Sequence, residues 1–97
     1  MPLLGADVDD APRVLTFDAP SLTVVAEVAR RAGRIRLHGQ LTVPQRVCLE
    51  IRHADGVRTV LTDDLGRFAA ADLPPGLIGF VAYTAAGLRE ATHWMAV

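Results

Sequence analysis

The residues that could do chemistry are few and scattered along the chain. There are three histidines, His38, His53 and His93, together with a single cysteine, Cys48, and a single serine, Ser21. A nucleophilic serine or cysteine needs a base within hydrogen-bond reach. Ser21 has no histidine beside it and lies in no Gly-x-Ser-x-Gly turn. The sequence therefore predicts no catalytic residue, and we expect the protein not to be an enzyme.

The same side chains do not form a metal-binding pattern. The histidines lack the i, i+4 spacing of a helical metal site, and strand alternation would place Cys48 and His53 on opposite faces. Two short acidic runs lack the glycine and terminal glutamate of a calcium loop: Asp7, Asp9 and Asp10, and Asp63 and Asp64. We expect no metal and no cofactor, and Cys48 is predicted to be a small, partly buried apolar side chain.

Arginines make up all ten basic residues, and lysine and asparagine do not occur, a bias typical of a GC-rich bacterial genome. The net charge of −1 argues against nucleic-acid binding, which usually needs a basic domain. Positive charge is concentrated locally in Arg30, Arg31, Arg34 and Arg36. If this segment is a strand hairpin, Arg34, Arg36 and His38 share one face. We predict that these three residues bind a protein partner, because a basic face suits an acidic one.

The hairpin that would hold this face depends on one ambiguous segment. Residues 21–33 could form a helix that begins at Pro20-Ser21 and ends at Gly33. The β-branched residues in the segment favour a strand instead. Residues 34–41 alternate strictly between polar and apolar, which is typical of a half-buried strand.

A two-residue loop at Ala32-Gly33 fixes how the two strands would pair. It sets three apolar pairs on one face and two mainly polar pairs on the other. The predicted pairs are Val28 with Leu37, Ala26 with Gly39, Val24 with Leu41, Glu27 with His38, and Ala29 with Arg36.

Further apolar runs at a spacing of about ten residues predict a β-sandwich of seven to eight strands. A first edge strand stops at Asp18, and a turn over residues 62–68 delivers Phe68 to the core. A hairpin turns at residues 54–56, and the last two strands are expected near residues 78–84 and 91–97. We expect a flexible lead-in over residues 1–12 and a single domain over residues 13–97.

The stretch from Arg36 to Tyr83 resembles the carboxypeptidase regulatory-like, or transthyretin-like, domains. The resemblance rests on Gly39-Gln40-Leu41, an apolar strand over 47–52, Thr62-Asp63-Asp64-Leu65-Gly66-Arg67-Phe68, and Leu73-Pro74-Pro75-Gly76. It implies an all-β Greek-key sandwich of transthyretin-like or immunoglobulin-like type. Members of this family are typically non-catalytic accessory modules, some of which bind carbohydrate. Its hydrolase members carry a C-terminal Tyr-Arg-Gly-Ser sequence, whereas this chain ends His93-Trp94-Met95-Ala96-Val97.

Taken together, these features predict a non-catalytic interaction or regulatory module. It would bind a protein partner through an edge strand or through the face of Arg34, Arg36 and His38, and it could also self-associate. The alternative is a small-ligand or carbohydrate-binding module in which Tyr83 or Trp94 provides a stacking platform. A single cysteine, no long apolar stretch and no basic, apolar leader predict a cytoplasmic protein that does not enter a membrane.

Overall fold

The computed structural model describes residues 12–84 and 86–97, so nearly all of the predicted lead-in lies outside the described residues. Every regular element in the described part is a β-strand, which confirms the predicted all-β class. The strands found there, in chain order, are β1 (Arg13–Asp18), β2 (Thr23–Arg31), β3 (Arg34–Leu41), β4 (Cys48–His53), β5 (Gly56–Leu61), β6 (Arg67–Leu73), β7 (Leu77–Tyr83), β8 (Arg89–Ala91) and β9 (Met95–Ala96).

The strands form two antiparallel sheets. Sheet A has the order β1-β2-β3-β6, and sheet B has the order β5-β4-β7-β8, with β9 also paired to β7. After the β4–β5 hairpin the chain returns to sheet A, where β6 pairs with β3. It then crosses back to sheet B, where β7 pairs with β4. The chain therefore passes from sheet B to sheet A before β6, and from sheet A back to sheet B before β7.

The β2–β3 hairpin has the predicted register. Val28 pairs with Leu37, and Val24 pairs with Leu41. The loop residues Ala32 and Gly33 both have positive φ, at 53° and 77°. A two-residue turn with both φ values positive matches the twist of the strands that it joins. The turn therefore fixes which side chains of β3 face outward.

One hydrophobic core lies between the two sheets and takes side chains from both. Phe17 of sheet A meets Phe80 of sheet B edge to face, with 4.8 Å between the ring centroids. The Phe68 ring packs against Phe80 and also lies over Gly39, where an added Cβ would come within 2.4 Å of Phe68 Cζ. Phe68 is thus delivered to the core as predicted, and Gly39 provides the space for its ring.

The turn before β6 lies within the predicted turn over residues 62–68 and is built around Asp63. Its carboxylate accepts the backbone N–H groups of Leu65 and Arg67, each at 2.9 Å. The Arg67 N–H makes the largest contribution to lowering the pKa of the Asp63 carboxyl below its ordinary value. Gly66 takes a positive φ of 78°, which glycine adopts readily.

The C-terminal region differs from the prediction of one strand over residues 91–97. Val81 pairs with Ala91, but Ile78 pairs with Met95, so residues 92–94 stand opposite two residues of β7. The extra residue is a β-bulge that divides the segment into β8 and β9. At the bulge, Phe80 N–H donates to the Thr92 hydroxyl at 3.0 Å. The division also explains why nine strands are found in the described residues where seven to eight were expected.

A polar contact joins β8 of sheet B to the turn between β1 and β2 of sheet A. Glu90 is buried, and its carboxylate accepts the Ser21 backbone N–H at 2.9 Å and also the Ser21 hydroxyl. The hydroxyl makes the largest contribution to lowering the pKa of Glu90 below its ordinary value. This pair therefore helps to hold the two sheets together.

Candidate functional site

The outer face of sheet A carries the predicted partner-binding residues. Arg34, Arg36 and His38 occupy alternate positions of β3, and all three are exposed. Strand β3 lies between β2 and β6, so these residues run along the middle of the sheet and not along its edge. We call Arg34, Arg36 and His38 the basic surface.

Small side chains flank the centre of the basic surface, and Glu27 and Arg67 lie beside its His38 end. Three strand spacings of about 4.8 Å make sheet A about 14 Å across. Two shallow depressions of about 330 Å³ and 350 Å³ lie on this face, one beside His38 and the other beside Arg34 and Arg36. The outward neighbours on the flanking strands include Val14, Val25, Ala29, Ala69 and Ala71. The surface is therefore broad and shallow, and its charges project above small residues.

The members of the basic surface differ in how far neighbouring groups offset their charge. Arg34 donates to the backbone oxygen of Asp72 at 2.6 Å and lies 4.0 Å from its carboxylate. His38 lies directly opposite Glu27 on β2. Arg36 has no hydrogen bond or ion pair with any residue in the described part of the chain. Arg36 is therefore the most available positive charge on this face.

A bulge in β6 brings Asp72 to Arg34. Ile35 pairs with Leu73 and Leu37 with Ala70, so two residues of β6, 71 and 72, stand opposite one residue of β3. Asp72 has a φ of 61°, a left-handed conformation that aspartate tolerates better than most residues. The bulge thereby reduces the net charge at one end of the basic surface.

The outer face of sheet B carries a different set of side chains. Glu50 and Arg52 both point outward from β4, and the Arg52 Nε and Nη2 atoms donate to Glu50 Oε1 at 3.2 Å and 2.8 Å. The Tyr83 hydroxyl donates to Glu50 Oε2 at 3.2 Å. The hydrogen bond from Arg52 is the main cause of a Glu50 pKa below its ordinary value. Glu50 therefore orients the Arg52 guanidinium through these two hydrogen bonds.

Trp94 reaches this face because of the bulge at residues 92–94. If residues 91–97 continued as one regular strand, alternation from the outward Ala91 would turn position 94 toward the core. The indole instead covers Gly79, where an added Cβ would lie 3.0 Å from Trp94 Cδ2 and 3.3 Å from Cγ. Trp94 remains 49% exposed. We call Trp94, Tyr83, Arg52 and Glu50 the aromatic surface.

A small cavity of about 100 Å³ opens beside the aromatic surface. Arg52, Arg89 and Trp94 are among the residues that line it. Val81 and Ala91 lie between them at paired positions of β7 and β8. No acidic residue lines this cavity within the described residues.

Three of the residues considered above as candidates for chemistry make hydrogen bonds within the fold, namely Ser21, His53 and His93. Ser21 donates to Glu90. The Nδ1 atoms of His53 and His93 accept backbone N–H groups, at 3.2 Å from Asp55 and 3.4 Å from Asp18. Within residues 12–84 and 86–97, no three His, Cys, Asp or Glu side chains are grouped as metal ligands.

Cys48 does not fit its prediction of partial burial, since it is exposed. It faces outward from β4 between Leu61 and Tyr83 of the neighbouring strands. That side of sheet B has no covering layer in the described part of the chain, so an outward side chain stays open to solvent.

The comparisons with known proteins do not extend this description. No protein-family model matches the chain, and neither a curated protein nor a solved structure matches it. Among the residues described, no helix has the length and apolar character needed to span a membrane.

Sequence reasoning named Tyr83 and Trp94 singly and did not bring them together. It also missed the grouping of Glu50, Arg52 and Arg89. The alternation in β4 already indicates that Glu50 and Arg52 share a face, because they lie two residues apart. The position of Trp94 could not be found in this way, because it depends on the bulge.

Proposed function

We propose that this protein is a non-catalytic interaction module whose basic surface binds an acidic segment of a protein partner. The supporting observation is the line of three exposed, positively charged or titratable side chains along the centre of sheet A. Their shallow surroundings suit a broad contact better than a small ligand, which usually needs a concave site.

The proposal depends most strongly on Arg36. An exposed arginine that has no carboxylate partner presents all five of its N–H donors to an incoming acidic group. Arg34 already donates to Asp72, and His38 faces Glu27. Charges of this kind mainly accelerate association and select the partner, and their effect weakens with salt.

We propose further that the two sheets form a Greek-key sandwich of the carboxypeptidase regulatory-like kind. Two features support this: the alternation of strands between the sheets, and the turn over residues 62–68, a part of the resemblance, in which Asp63 accepts backbone N–H groups and Gly66 has a positive φ. Such modules typically act beside other proteins. We place the protein in the cytoplasm, where an exposed Cys48 would stay reduced.

An edge strand offers another route to a partner or to a second copy of the chain. Strand β1 is one edge of sheet A, and Val14 in it is 66% exposed. Edge strands pair readily with added strands. Partner binding that survives changes on the basic surface would favour this route.

The test compares charge reversals on the two outer faces. Arg36→Glu and Arg89→Glu change the net charge equally, and both residues are exposed. The partner is first identified by affinity capture from the source lysate and then purified for titration. We expect Arg36→Glu to weaken binding at least about tenfold, or about 1.4 kcal/mol, with Arg89→Glu close to wild type. Equal affinity of the wild type and Arg36→Glu would refute the basic surface.

A second candidate function is a carbohydrate-binding or small-ligand module. The observation that favours it is the presence of Trp94 and Tyr83 on one face, beside the hydrogen-bonded Glu50 and Arg52. An exposed indole with polar groups next to it can stack on a ring while its neighbours bind hydroxyls. A ligand would raise the Tm with increasing concentration.

A further inference from the structure

The cavity beside Trp94 has a lining suited to an anion. Within the described part of the chain, the charged residues in its lining are Arg52 and Arg89. A water molecule occupies about 30 Å³ in the liquid, so about 100 Å³ holds a small group such as a carboxylate. It is too small for a whole sugar or aromatic ring together with that group.

Arg52 is held in place for such a ligand. Glu50 takes the Nε–H and one Nη2–H of its guanidinium. Arginine has five N–H donors, so three remain for a ligand. A guanidinium that is already oriented loses less conformational entropy on binding.

Arg89 supplies the charge that makes the site net positive. It has no hydrogen bond or ion pair within the described residues, although it lies near enough to Glu50 to help lower the pKa of that carboxyl. Glu50 offsets one of the two arginines, and the other remains for a bound anion. A carboxylate carries one negative charge, which matches this balance.

Trp94 provides the support for the rest of the ligand. Three of the indole ring atoms lie 3.0–3.3 Å from the position of a Cβ added at Gly79, so the indole lies against the sheet, and about half of the residue stays exposed. A ring attached to a carboxylate in the cavity would extend outward along this wall. Indoles stack on the faces of aromatic rings and on the apolar faces of sugars.

We propose that this cavity binds a carboxylate carried by a six-membered ring, with the carboxylate between Arg52 and Arg89 and the ring against Trp94. The inference rests on the second candidate function and names its ligand class. Acidic sugars and aromatic acids both have this chemistry, and the probes below separate them.

The chain has a single tryptophan, so one indole Nε1–H resonance in the NMR spectrum reports on this site. The probes are D-glucuronate, benzoate, D-glucose and acetate. We expect D-glucuronate or benzoate to shift the indole resonance and to saturate at a concentration at least about tenfold below that needed by D-glucose or acetate. A stronger effect of D-glucuronate identifies an acidic sugar, and a stronger effect of benzoate identifies an aromatic acid.

Variants test the roles of the individual residues. Arg89→Gln should weaken the preferred probe at least about tenfold, while Arg13→Gln, at an exposed position of β1 in sheet A, should leave it unchanged. Gly79→Ala places a Cβ against the indole and should reduce the preference for a ring over acetate. A thermal melt of each variant shows that it is folded.

Two outcomes would overturn the proposal in different ways. If D-glucose binds as tightly as D-glucuronate and Arg89→Gln has no effect, the carboxylate site is wrong while a carbohydrate-binding function stands. If no ring-containing probe shifts the indole resonance, the carboxylate site and the second candidate function both fail.

Discussion

Sheets A and B both contain a β-bulge beside their outer faces, and the two bulges act differently on those faces. In sheet A the bulge at residues 71 and 72 brings Asp72 to Arg34 and offsets part of its charge. In sheet B the bulge at residues 92–94 turns Trp94 from the core side to the outer side. Bulges commonly redirect a side chain in this manner.

The two outer faces therefore differ in both charge and shape. Sheet A keeps its charges dispersed above small side chains, which suits a broad contact with an acidic partner. Sheet B gathers Arg52, Arg89 and Trp94 around a small cavity, which suits a compact ligand. We therefore expect that a substitution on one face leaves binding at the other face unchanged.

The largest effect is expected from removing the bulge in sheet B. Deletion of His93 would leave Thr92 opposite Phe80 and Trp94 opposite Gly79, so β8 and β9 would join as one regular strand with Trp94 still on the outer face. The deletion removes the His93 ring that stacks on Phe17 and the acceptor of the Asp18 N–H, and it forces the segment at the bulge to rearrange. We expect a loss of about 3 kcal/mol in the free energy of unfolding and a fall in Tm of more than about 10 °C. His93→Ala loses the same ring but keeps the bulge and is the control, with a smaller loss. A deletion variant as stable as His93→Ala would contradict a structural role for the bulge.

An intermediate effect is expected from the contact that joins the sheets. The Glu90 pKa is lowered in the folded state, so this group stabilises the fold fully above its unfolded pKa of about 4.3. That stabilisation is lost as the pH falls through the lowered folded pKa. Glu90→Gln should therefore lower the Tm at pH 7 and flatten its dependence on pH below about 5.

The control for this change is Asp55→Asn, which removes one carboxyl from the exposed turn of the β4–β5 hairpin within sheet B. Thermal melts at a series of pH values compare the variants. A wild-type acid dependence in Glu90→Gln would show that the Ser21 contact does not contribute.

The smallest effect is expected from removing the Asp72 side chain at the bulge in sheet A. Asp72→Gly removes the carboxylate near Arg34 and suits the positive φ at this position. Stability should change by no more than about 0.5 kcal/mol, while affinity for the acidic partner should rise about twofold to threefold, as expected for an exposed ion pair. Asp55→Asn, at the exposed β4–β5 turn, changes the net charge equally and should leave the affinity unchanged.

Elements with strong local patterns could be predicted, including the β2–β3 register, because Ala32-Gly33 and the alternation in β3 agree. The turn over residues 62–68 could be predicted as well, because its turn-forming residues lie close together in the sequence. The C-terminal bulge could not, because it depends on the Thr92 hydroxyl replacing a backbone partner of Phe80, which is a tertiary contact. The exposure of Cys48 was missed because alternation gives a face but not whether that face is covered. The aromatic surface was missed with it, since three separate strands and the bulge bring its members together.

The central claim is that the basic surface of sheet A, and not the outer face of sheet B, contacts an acidic protein segment. The most direct measurement is the map of backbone amide shifts in the NMR spectrum on titration with a short polyglutamate peptide, which has acidic groups and no ring. We expect salt-sensitive shifts around Arg34, Arg36 and His38 and small shifts at Gly79 and Val81. Shifts confined to Gly79, Val81 and their neighbours in sheet B, with β3 unchanged, would contradict it.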